Sequence, residues 1–348
     1  MRLKVSLSKS DRSFSAAPDQ TVLAAAFDAG LNLPHSCKGG NCGSCRARLL
    51  QGQVKYLHGR PLGLSESEVS EGYVLLCQAC AASDIVIETV QISTPETALI
   101  KRLPGRIERM ISLSHDVMGV FLKLPAAEPF AFEAGQYIDI LLRGGRRRSF
   151  SIASPPHDSR LLELHIRRVP GGEFTEALFA EDGRSALLSI EGPLGQFVYR
   201  PASSAPMLLV GGGTGLAPLK SIYRHVIEND LNRQISLYWG VRSERDLYAQ
   251  AELEELARRV PDFRFQAVLS EPGADWPGRR GWVHEAVLHD VERLQGMDIY
   301  ASGPPAMIAA LRHQFMLRGA DPARLFFDSF DYAPDTLARQ RMMAATKS

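Results

Sequence analysis

The first hundred residues carry short segments in which apolar positions alternate with polar ones or form brief runs. These segments predict β-strands over residues 4–7, 13–16, 74–77 and 85–88. The first two are close enough in sequence to pair as a hairpin. Residues 21–29 are mainly apolar, with Asp19 near their start and Gly30 at their end, which predicts one short helix.

Two further blocks follow with different patterns. Residues 105–200 are rich in short strands, such as 139–142 and 162–166, with turn glycines between them, and this suits a small barrel. From about Pro206, apolar strands alternate with helical stretches, which is typical of an α/β domain with a parallel sheet. The strands predicted in this last block are 207–210, 235–239, 263–269 and 298–301. A linker is predicted over 93–104.

Composition adds the broad class. The chain has 348 residues, which at about 150 residues per domain predicts two to three domains. A net charge of +1 gives no electrostatic basis for binding nucleic acid or an anionic membrane. No apolar run approaches the roughly 18 residues that a spanning helix needs, and the first residues alternate like a strand instead of forming a signal peptide. The expected location is therefore the cytoplasm.

Four cysteines carry the most specific chemistry of the first block. Cys37, Cys42 and Cys45 have the spacing C-x4-C-x2-C, and Cys77 follows later, which is the plant-type [2Fe–2S] ligand pattern. Three glycines lie among these ligands, and glycines let a loop curl tightly and present N–H groups to sulfur. We therefore predict that these four cysteines are the metal ligands.

Other uses of the cysteines stay open at this point. Structural zinc would prefer two C-x2-C pairs, which Cys42/Cys45 and Cys77/Cys80 could supply while leaving Cys37 unused. Disulfides are disfavoured by the odd count of five cysteines and their clustering, which suit a metal site in a reducing compartment. Cys80 is expected to be a small half-buried residue beside the cluster.

A glycine-rich turn opens the third block. An apolar strand ends in Gly-Gly-Gly-Thr-Gly over residues 211–215, and a helix follows from about Ala217. Such a turn lets a pyrophosphate approach the backbone at a helix N-terminus, where free N–H groups and the dipole favour anions. The spacing is not the strict G-x-G-x-x-G, so a turn that serves only strand–helix packing remains an alternative.

Two later strand ends should lie at the same edge of that sheet. Arg242 begins a charged segment at the first, where an acid would recognise a ribose 2′-hydroxyl and an Arg a 2′-phosphate. The segment holds both residue types, so it does not choose between NADH and NADPH, and a solvated run of charges is an equal alternative. Residues 300–305 end the second strand, where open α/β folds bind ligands.

The second block contains a basic and aromatic strand. Arg148 and Phe150 would face the same way on it, and an Arg can bind phosphate while a ring can stack on a flat cofactor. Basic edge strands are common, so the pattern alone is weak. Residues 167–175 add a second glycine turn that leads into a helix and is another candidate phosphate site.

Together these motifs resemble the three-domain NAD(P)H-dependent iron–sulfur flavoprotein reductases, over residues 1–330. The family includes oxygenase reductase components and the CDP-6-deoxy-glucoseen reductase group. The resemblance implies a multidomain fold with an α+β β-grasp ferredoxin at 1–95, an antiparallel β-barrel flavin domain at 102–202 and an α/β parallel-sheet nucleotide domain at 203–332. Residues 333–348 would be a C-terminal tail, expected as a frayed surface helix.

The resemblance also implies the flavin contacts. The family's R-x-[YF]-[ST] segment corresponds to Arg148, Ser149, Phe150 and Ser151. Arg148 would meet the FAD phosphates, Phe150 would stack on the isoalloxazine, and Ser151 would lie near its N5 atom. Phe150 stands where Tyr is usual. The family's phosphate turn corresponds to Gly171, Gly172, Phe174 and Thr175.

The nicotinamide contacts follow in the same way. Thr214 would lie near the nicotinamide, and Ser302 replaces the family's usual Cys in the segment that ends the later strand. Phe330, in the family's terminal D-x-F motif, is a candidate for covering the flavin. The other implied nucleotide-binding residues are Gly212, Gly213, Gly215, Pro218, Arg242, Gly303 and Pro304.

The implied activity is electron transfer. NAD(P)H delivers two electrons as a hydride, a [2Fe–2S] cluster accepts one, and FAD lies between them. Ser151, Thr214, Ser302 and Phe330 are the implied catalytic residues. The acceptor would be a partner protein, either a deoxysugar dehydratase or an aromatic-ring or alkane oxygenase. A redox sensor or electron-carrier module is the alternative outside the enzymes, and the complete nicotinamide motif argues against it.

Overall fold

A computed structural model describes residues 2–31, 33–89, 100–180, 186–229, 233–330 and 334–345. Two compact units divide the chain. The N-terminal unit comprises Met1–Thr97 with Phe327–Phe330, and the larger unit comprises Ala98–Phe326 with Asp331–Ser348. The linker expected from 93 includes residues 93–99, which lie outside the described residues.

The strands of the described chain are β1 Leu3–Leu7, β2 Ser13–Ala16, β3 Arg46–Gln51, β4 Val54–Tyr56, β5 Tyr73–Leu75, β6 Ala79–Ala81, β7 Ile85–Glu88, β8 Lys101–Ser112, β9 Val117–Lys123, β10 Tyr137–Leu141, β11 Arg147–Ser151, β12 Leu162–Arg167, β13 Leu187–Leu194, β14 Met207–Gly212, β15 Ile235–Val241, β16 Phe263–Leu269, β17 Arg279–Arg280, β18 Asp298–Gly303 and β19 Leu325–Ser329. The helices are α1 Val22–Asp28, α2 Glu66–Ser70, α3 Glu173–Phe179, α4 Leu216–Asn229, α5 Gln250–Arg259, α6 Val283–Asp290, α7 Pro305–Leu317 and α8 Pro334–Ala345.

The N-terminal unit is a β-grasp fold. Its mixed sheet has the order β2-β1-β7-β3-β5, with β1 and β2 forming the expected hairpin and β1 lying parallel to β7. Helix α1 buries Val22, Leu23, Ala25 and Ala26 in the core of this unit. The Thr21 side chain accepts a hydrogen bond from the Ala24 N–H and caps the helix, so the cap is Thr21 and not the nearby Asp19.

The larger unit begins with an antiparallel barrel. Six strands lie in the order β11-β10-β13-β8-β9-β12, and every neighbouring pair is antiparallel. A bridge between Ile152 and Leu164 joins the chain just after β11 to β12, which brings the two edges of the sheet together. Alternate residues of the strands fill the interior, as the burial of Leu162, Leu164 and Ile166 illustrates.

The same unit continues as a parallel α/β sheet. The order is β17-β16-β15-β14-β18-β19, and the pairs from β17 through to β18 are parallel. β14 lies at the centre, and its register places Gly212 opposite Gly240 and Gly211 opposite Ser302. The carboxyl ends of β14, β15 and β18 therefore meet at one edge, as the sequence predicts.

One predicted strand is too long. The sequence predicts a strand over 74–77, whereas β5 ends at Leu75 and the Gln78 N–H bonds to the Leu75 carbonyl in a turn. Four apolar residues cannot distinguish a strand from a strand followed by a buried turn. No helix among the described residues is both long enough and apolar enough to cross a membrane.

Candidate functional site

The four predicted ligand cysteines come together in the N-terminal unit. Cys42, Cys45 and Cys77 are buried, and Cys37 is partly exposed. The Cys45 and Cys77 sulfurs are 3.1 Å apart, and the Cys42 N–H donates to the Cys37 sulfur at 3.4 Å. The short turn after β5 makes this possible, because it brings Cys77 back against Cys45 beside the edge of the sheet.

Tight backbone geometry holds the loop that carries three of these thiols. Gly40 has φ +82°, and a Cβ there would lie 2.7 Å from Cγ of Gln78, so a larger residue is excluded. The Gln78 amide donates to the Lys38 carbonyl at 2.8 Å. The Ser44 N–H points at the Cys42 sulfur at 3.5 Å, which is the kind of contact that stabilises a charged cluster.

The spacing of the sulfurs fits a two-iron core better than one zinc ion. Tetrahedral zinc with bonds of about 2.3 Å to sulfur holds its ligand atoms about 3.8 Å from one another. Over the described part of the chain, no three cysteine sulfurs all lie within 4.8 Å of one another. All five cysteines are free thiols in this structure.

Mutual contact and burial change the pKa values of three of these thiols. The pKa of Cys37 and that of Cys77 are raised, in each case mainly by a hydrogen bond shared with another thiol and then by burial. The pKa of Cys42 is lowered because the Cys37 thiol donates to it. Crowded thiols that retain protons in this way become thiolates once metal ions supply positive charge. Cys80 is fully buried on β6, and not half-buried as expected.

The predicted flavin residues lie on β11 and at the start of α3. Arg148 and Phe150 are both partly buried on β11, with the exposed Arg147 and Ser149 alternating between them, as expected for a strand. The Phe150 and Phe174 ring centroids are 5.6 Å apart, so the two predicted aromatic residues form one surface. Ser151 is buried at the end of β11.

Two of the predicted cofactor-binding residues, Ser149 and Thr175, form hydrogen bonds within the protein. The Ser149 hydroxyl donates to the buried carboxylate of Asp139 at 2.5 Å. Thr175 bonds to the backbone of Val169 and Gly172, and it thereby fixes the glycine turn before α3. The Gly172 N–H is used as well, because it donates to the Val169 carbonyl at 2.8 Å.

The C-terminal helix contacts the same region. Arg148 donates to the Asp335 carboxylate at 2.6 Å, and Arg339 donates to Glu173 at 2.9 Å. The Gln340 amide bonds to the Pro170 carbonyl at 3.1 Å. Sequence reasoning assigned these tail residues no role, because nothing in their local pattern identifies a partner so distant in the chain.

The predicted nicotinamide residues meet at the edge formed by β14, β15 and β18. Gly215 lies so close to β18 that a Cβ there would be 2.0 Å from the Ser302 carbonyl oxygen, so only glycine fits. Thr214 is partly buried in the turn before α4, and Arg242 is exposed just after β15. Gly212 and Gly213 belong to the same turn, Pro218 is buried in the first turn of α4, Gly303 ends β18, and Pro304 is exposed beside it.

Ser302 carries an unsatisfied polar atom at this edge of the sheet. Its side chain is fully buried, and its hydroxyl oxygen has no hydrogen-bond partner within the described part of the chain. A buried hydroxyl without a partner costs free energy, so an oxygen or amide of a bound nucleotide would suit this position. The residues at this edge therefore fit a nicotinamide nucleotide. Phe330 follows β19 and groups with the N-terminal unit.

A buried ionic group that sequence reasoning missed lies next to β12 and α4. Glu163 contacts His165 at 2.9 Å and Lys220 at 3.1 Å, and all three side chains are buried. The Tyr248 hydroxyl bonds to the other ring nitrogen of His165 at 3.0 Å. Burial alone would raise the pKa of Glu163, but His165 and Lys220 outweigh it and hold that pKa at about 2. The alternation of β12 hid this group, because Glu163 and His165 occupy the alternate positions that a half-buried strand usually exposes to solvent.

Comparison with known proteins agrees with this architecture. Residues 5–82 match the 2Fe-2S iron-sulfur cluster binding domain, 104–199 the oxidoreductase FAD-binding domain and 209–313 the oxidoreductase NAD-binding domain. The CDP-6-deoxy-L-threo-D-glycero-4-hexulose-3-dehydrase reductase of Yersinia pestis is 36% identical over 332 residues, covering 95% of this chain and 99% of that protein.

Reductases of oxygenases are equally similar. The reductase subunit of an Amycolatopsis aromatic O-demethylase is 37% identical over 327 residues, covering 92% of this chain and 96% of that protein. The crystal structure of the Amycolatopsis cytochrome P450 reductase GcoB has a TM-score of 0.76 and 35% identity, covering 94% of this chain and 98% of that one.

With three cofactor-binding domains in this order and relatives matched over nearly their whole length, the chain belongs to the NAD(P)H-dependent iron–sulfur flavoprotein reductases, oxidoreductases that transfer electrons through FAD and a [2Fe–2S] cluster to a dehydratase or oxygenase partner.

Proposed function

We propose that this reductase supplies single electrons to a CDP-hexulose dehydrase in the cytoplasm, with Cys37, Cys42, Cys45 and Cys77 holding the cluster. The approach of Cys77, on the turn after β5, to the loop that carries the other three thiols is the observation that carries the proposal. A two-iron cluster held there accepts one electron at a time. The five free thiols favour a reducing compartment.

The flavin contacts are assigned to β11 and α3. The Phe150 and Phe174 rings offer an apolar surface for the isoalloxazine, and the Arg148 guanidinium is placed to bind phosphate. Ser151, buried where β11 ends, is assigned to the N5 side of the ring. In the turn at Gly171 and Gly172, the Gly171 N–H is assigned to the phosphates, because the Gly172 N–H donates to the Val169 carbonyl. When bound, FAD supplies the chemistry that divides a hydride into single electrons.

The nicotinamide contacts are assigned to the edge of the parallel sheet. The turn over 213–215 and the start of α4 would bind the pyrophosphate through backbone N–H groups. Thr214 and Ser302 would orient the nicotinamide, and the unpartnered hydroxyl of Ser302 supports this role. Arg242, exposed after β15, is assigned to the ribose end of the nucleotide.

The choice of partner rests on relatives. Dehydrase reductases that match over 99% of their length favour a dehydrase of a CDP-linked hexulose. The likeness to reductases of an O-demethylase and of terephthalate 1,2-dioxygenase favours an oxygenase as the second candidate. Identities of 36% and 37% do not separate the two.

Reconstitution with purified partners separates them. The reductase would be mixed with NADH and either a CDP-hexulose dehydrase with its hexulose substrate or an O-demethylase oxygenase with its aromatic ether. We expect NADH oxidation coupled to deoxyhexulose formation in the first mixture, and uncoupled background in the second. Coupled demethylation with no deoxyhexulose would overturn the dehydrase assignment. A Cys42→Ser reductase is the control, because it should fail with either partner.

A further inference from the structure

A buried hydrogen bond joins the cluster loop to a residue from the far end of the chain. The Ser36 hydroxyl donates to the Asp328 carboxylate at 2.7 Å, across a sequence separation of 292 residues. Ser36 is 3% exposed and Asp328 is 4% exposed. Both belong to the N-terminal unit, because Phe327–Phe330 groups with it. Ser36 directly precedes Cys37, the first proposed ligand.

Other contacts hold the chain on either side of Ser36. His35 is anchored by its ring contact to the Leu33 carbonyl at 2.9 Å, and Lys38 is anchored by Gln78. An amide of the same shape in place of the Asp328 carboxylate would keep an acceptor for the Ser36 hydroxyl and remove the negative charge, so the effect of the charge can be measured separately from that of the hydrogen bond.

A buried charge acts strongly on an adjacent cluster. Reduction adds one negative charge to a centre that four thiolates already make anionic, so a nearby anion disfavours it. Protein surroundings screen this repulsion far less than water does. Ser36 binds the Asp328 carboxylate and directly precedes Cys37, so the carboxylate lies close to the ligand loop. A negative charge at this place makes reduction of the cluster less favourable.

We propose that Asp328 is a positioning residue that lowers the reduction potential of the [2Fe–2S] cluster, with Ser36 holding its carboxylate beside the loop of Cys37. This inference rests on the proposed ligand assignment. It extends the D-x-F motif, because the segment that carries Phe330 then also tunes the cluster.

The test is a potentiometric titration of the full-length reductase, followed by the electron paramagnetic resonance signal of the reduced cluster. Asp328→Asn removes the charge and keeps a hydrogen-bond acceptor for Ser36. At the potential where half of the wild-type cluster is reduced, the ratio of reduced to oxidised cluster in Asp328→Asn should be about threefold higher. This corresponds to a positive shift of the midpoint potential by about 30 mV for a one-electron couple. An unmoved or more negative midpoint would overturn the proposal.

Asp84→Asn is the matched control. Asp84 lies in the same unit and accepts a hydrogen bond from the Lys4 N–H at 2.8 Å, but it is exposed. The same change of charge there should leave the midpoint unmoved, because solvent and salt screen it. Equal shifts in the two variants would contradict a specific role for Asp328.

Ser36→Ala provides a second variant that keeps the carboxylate but loses its anchor. Its midpoint should also rise, by less than in Asp328→Asn, and the double variant should add nothing to the shift of Asp328→Asn. Independent, additive shifts would contradict the link through Ser36. A wild-type protein without the cluster signal, or a Cys42→Ser variant that retains it, would instead refute the ligand assignment.

Discussion

Each cluster cysteine owes its predicted role to its neighbours. The raised pKa values of Cys37 and Cys77 result mainly from contact with other thiols, and Cys80, which is buried like Cys77, pairs in a separate two-stranded sheet. Burial therefore does not distinguish a ligand from a core residue here, whereas thiol–thiol contact does. The distinction gives a direct test of the ligand set.

Replacing Cys42 by Ser should remove the cluster and nearly all cytochrome c reduction, because that acceptor takes single electrons from the iron centre. Oxidation of NADH by ferricyanide should persist, because ferricyanide can accept electrons from the flavin. Iron and acid-labile sulfide analysis measures the first effect. Cys80→Ser is the control and should retain its iron. Full cytochrome c activity in Cys42→Ser would show that the assignment is wrong.

The buried group around Glu163 makes stability depend on acid. Folding lowers the pKa of this carboxyl from 4.5 to about 2, so its ionised form stabilises the folded state above pH 4.5. That contribution, about 3 kcal/mol, should be lost as the pH falls towards 2. His165 and Lys220 contact the ionised Glu163 carboxylate and lose that interaction when it is protonated.

Urea unfolding at a series of pH values between 5 and about 2.5 would measure this loss. All three tryptophans lie between residues 98 and 326, so their fluorescence reports on the larger unit independently of the cluster. Glu163→Gln should flatten the pH dependence, whereas Glu252→Gln, a half-exposed partner of Lys220, should leave it steep. Parallel curves for wild type and Glu163→Gln would contradict the assignment.

At the scale of elements, α8 bears on flavin binding. Its Asp335 carboxylate bonds to the guanidinium that we assign to the FAD phosphates, and Arg148 holds the pKa of Asp335 down against the effect of burial. Two anions near one guanidinium repel each other, so the carboxylate and a flavin phosphate compete.

Removing that competitor should therefore tighten FAD binding. Asp335→Asn should lower the FAD dissociation constant about threefold, as expected for one partly exposed ion pair. Fluorescence titration of flavin-depleted protein measures it. Arg339→Gln breaks the contact of the helix with Glu173 but keeps Asp335, so its effect should be smaller. Weaker binding by Asp335→Asn would show that α8 supports the flavin instead. Unchanged binding by Arg148→Ala would refute the phosphate role.

Local patterns predict most elements of this chain and few of its tertiary contacts. Alternation places β7 and β16 at their observed ends, and the β11 motif places Arg148 and Phe150 on one face. The bonds of Arg148 to Asp335 and of Ser36 to Asp328 span 187 and 292 residues, so no local pattern could indicate them. The turn that contains Cys77 was missed because Leu76 and Cys77 are as apolar as the strand residues before them.

For the molecule as a whole, three cofactors in one chain give a fixed electron capacity. FAD takes two electrons and the cluster takes one. The family assignment gives the order of electron transfer, with the nicotinamide nucleotide as the donor and a partner protein as the final acceptor. The parallel sheet, the barrel and the β-grasp unit each supply one binding region.

Coulometric reduction of the purified, anaerobic protein tests this account most directly. Full reduction should consume about three electrons per chain, and the cluster signal should account for about one spin per chain. The Cys42→Ser variant should consume about two electrons and show no such signal. Uptake of two electrons by the wild-type protein, with zinc in place of iron, would contradict the account.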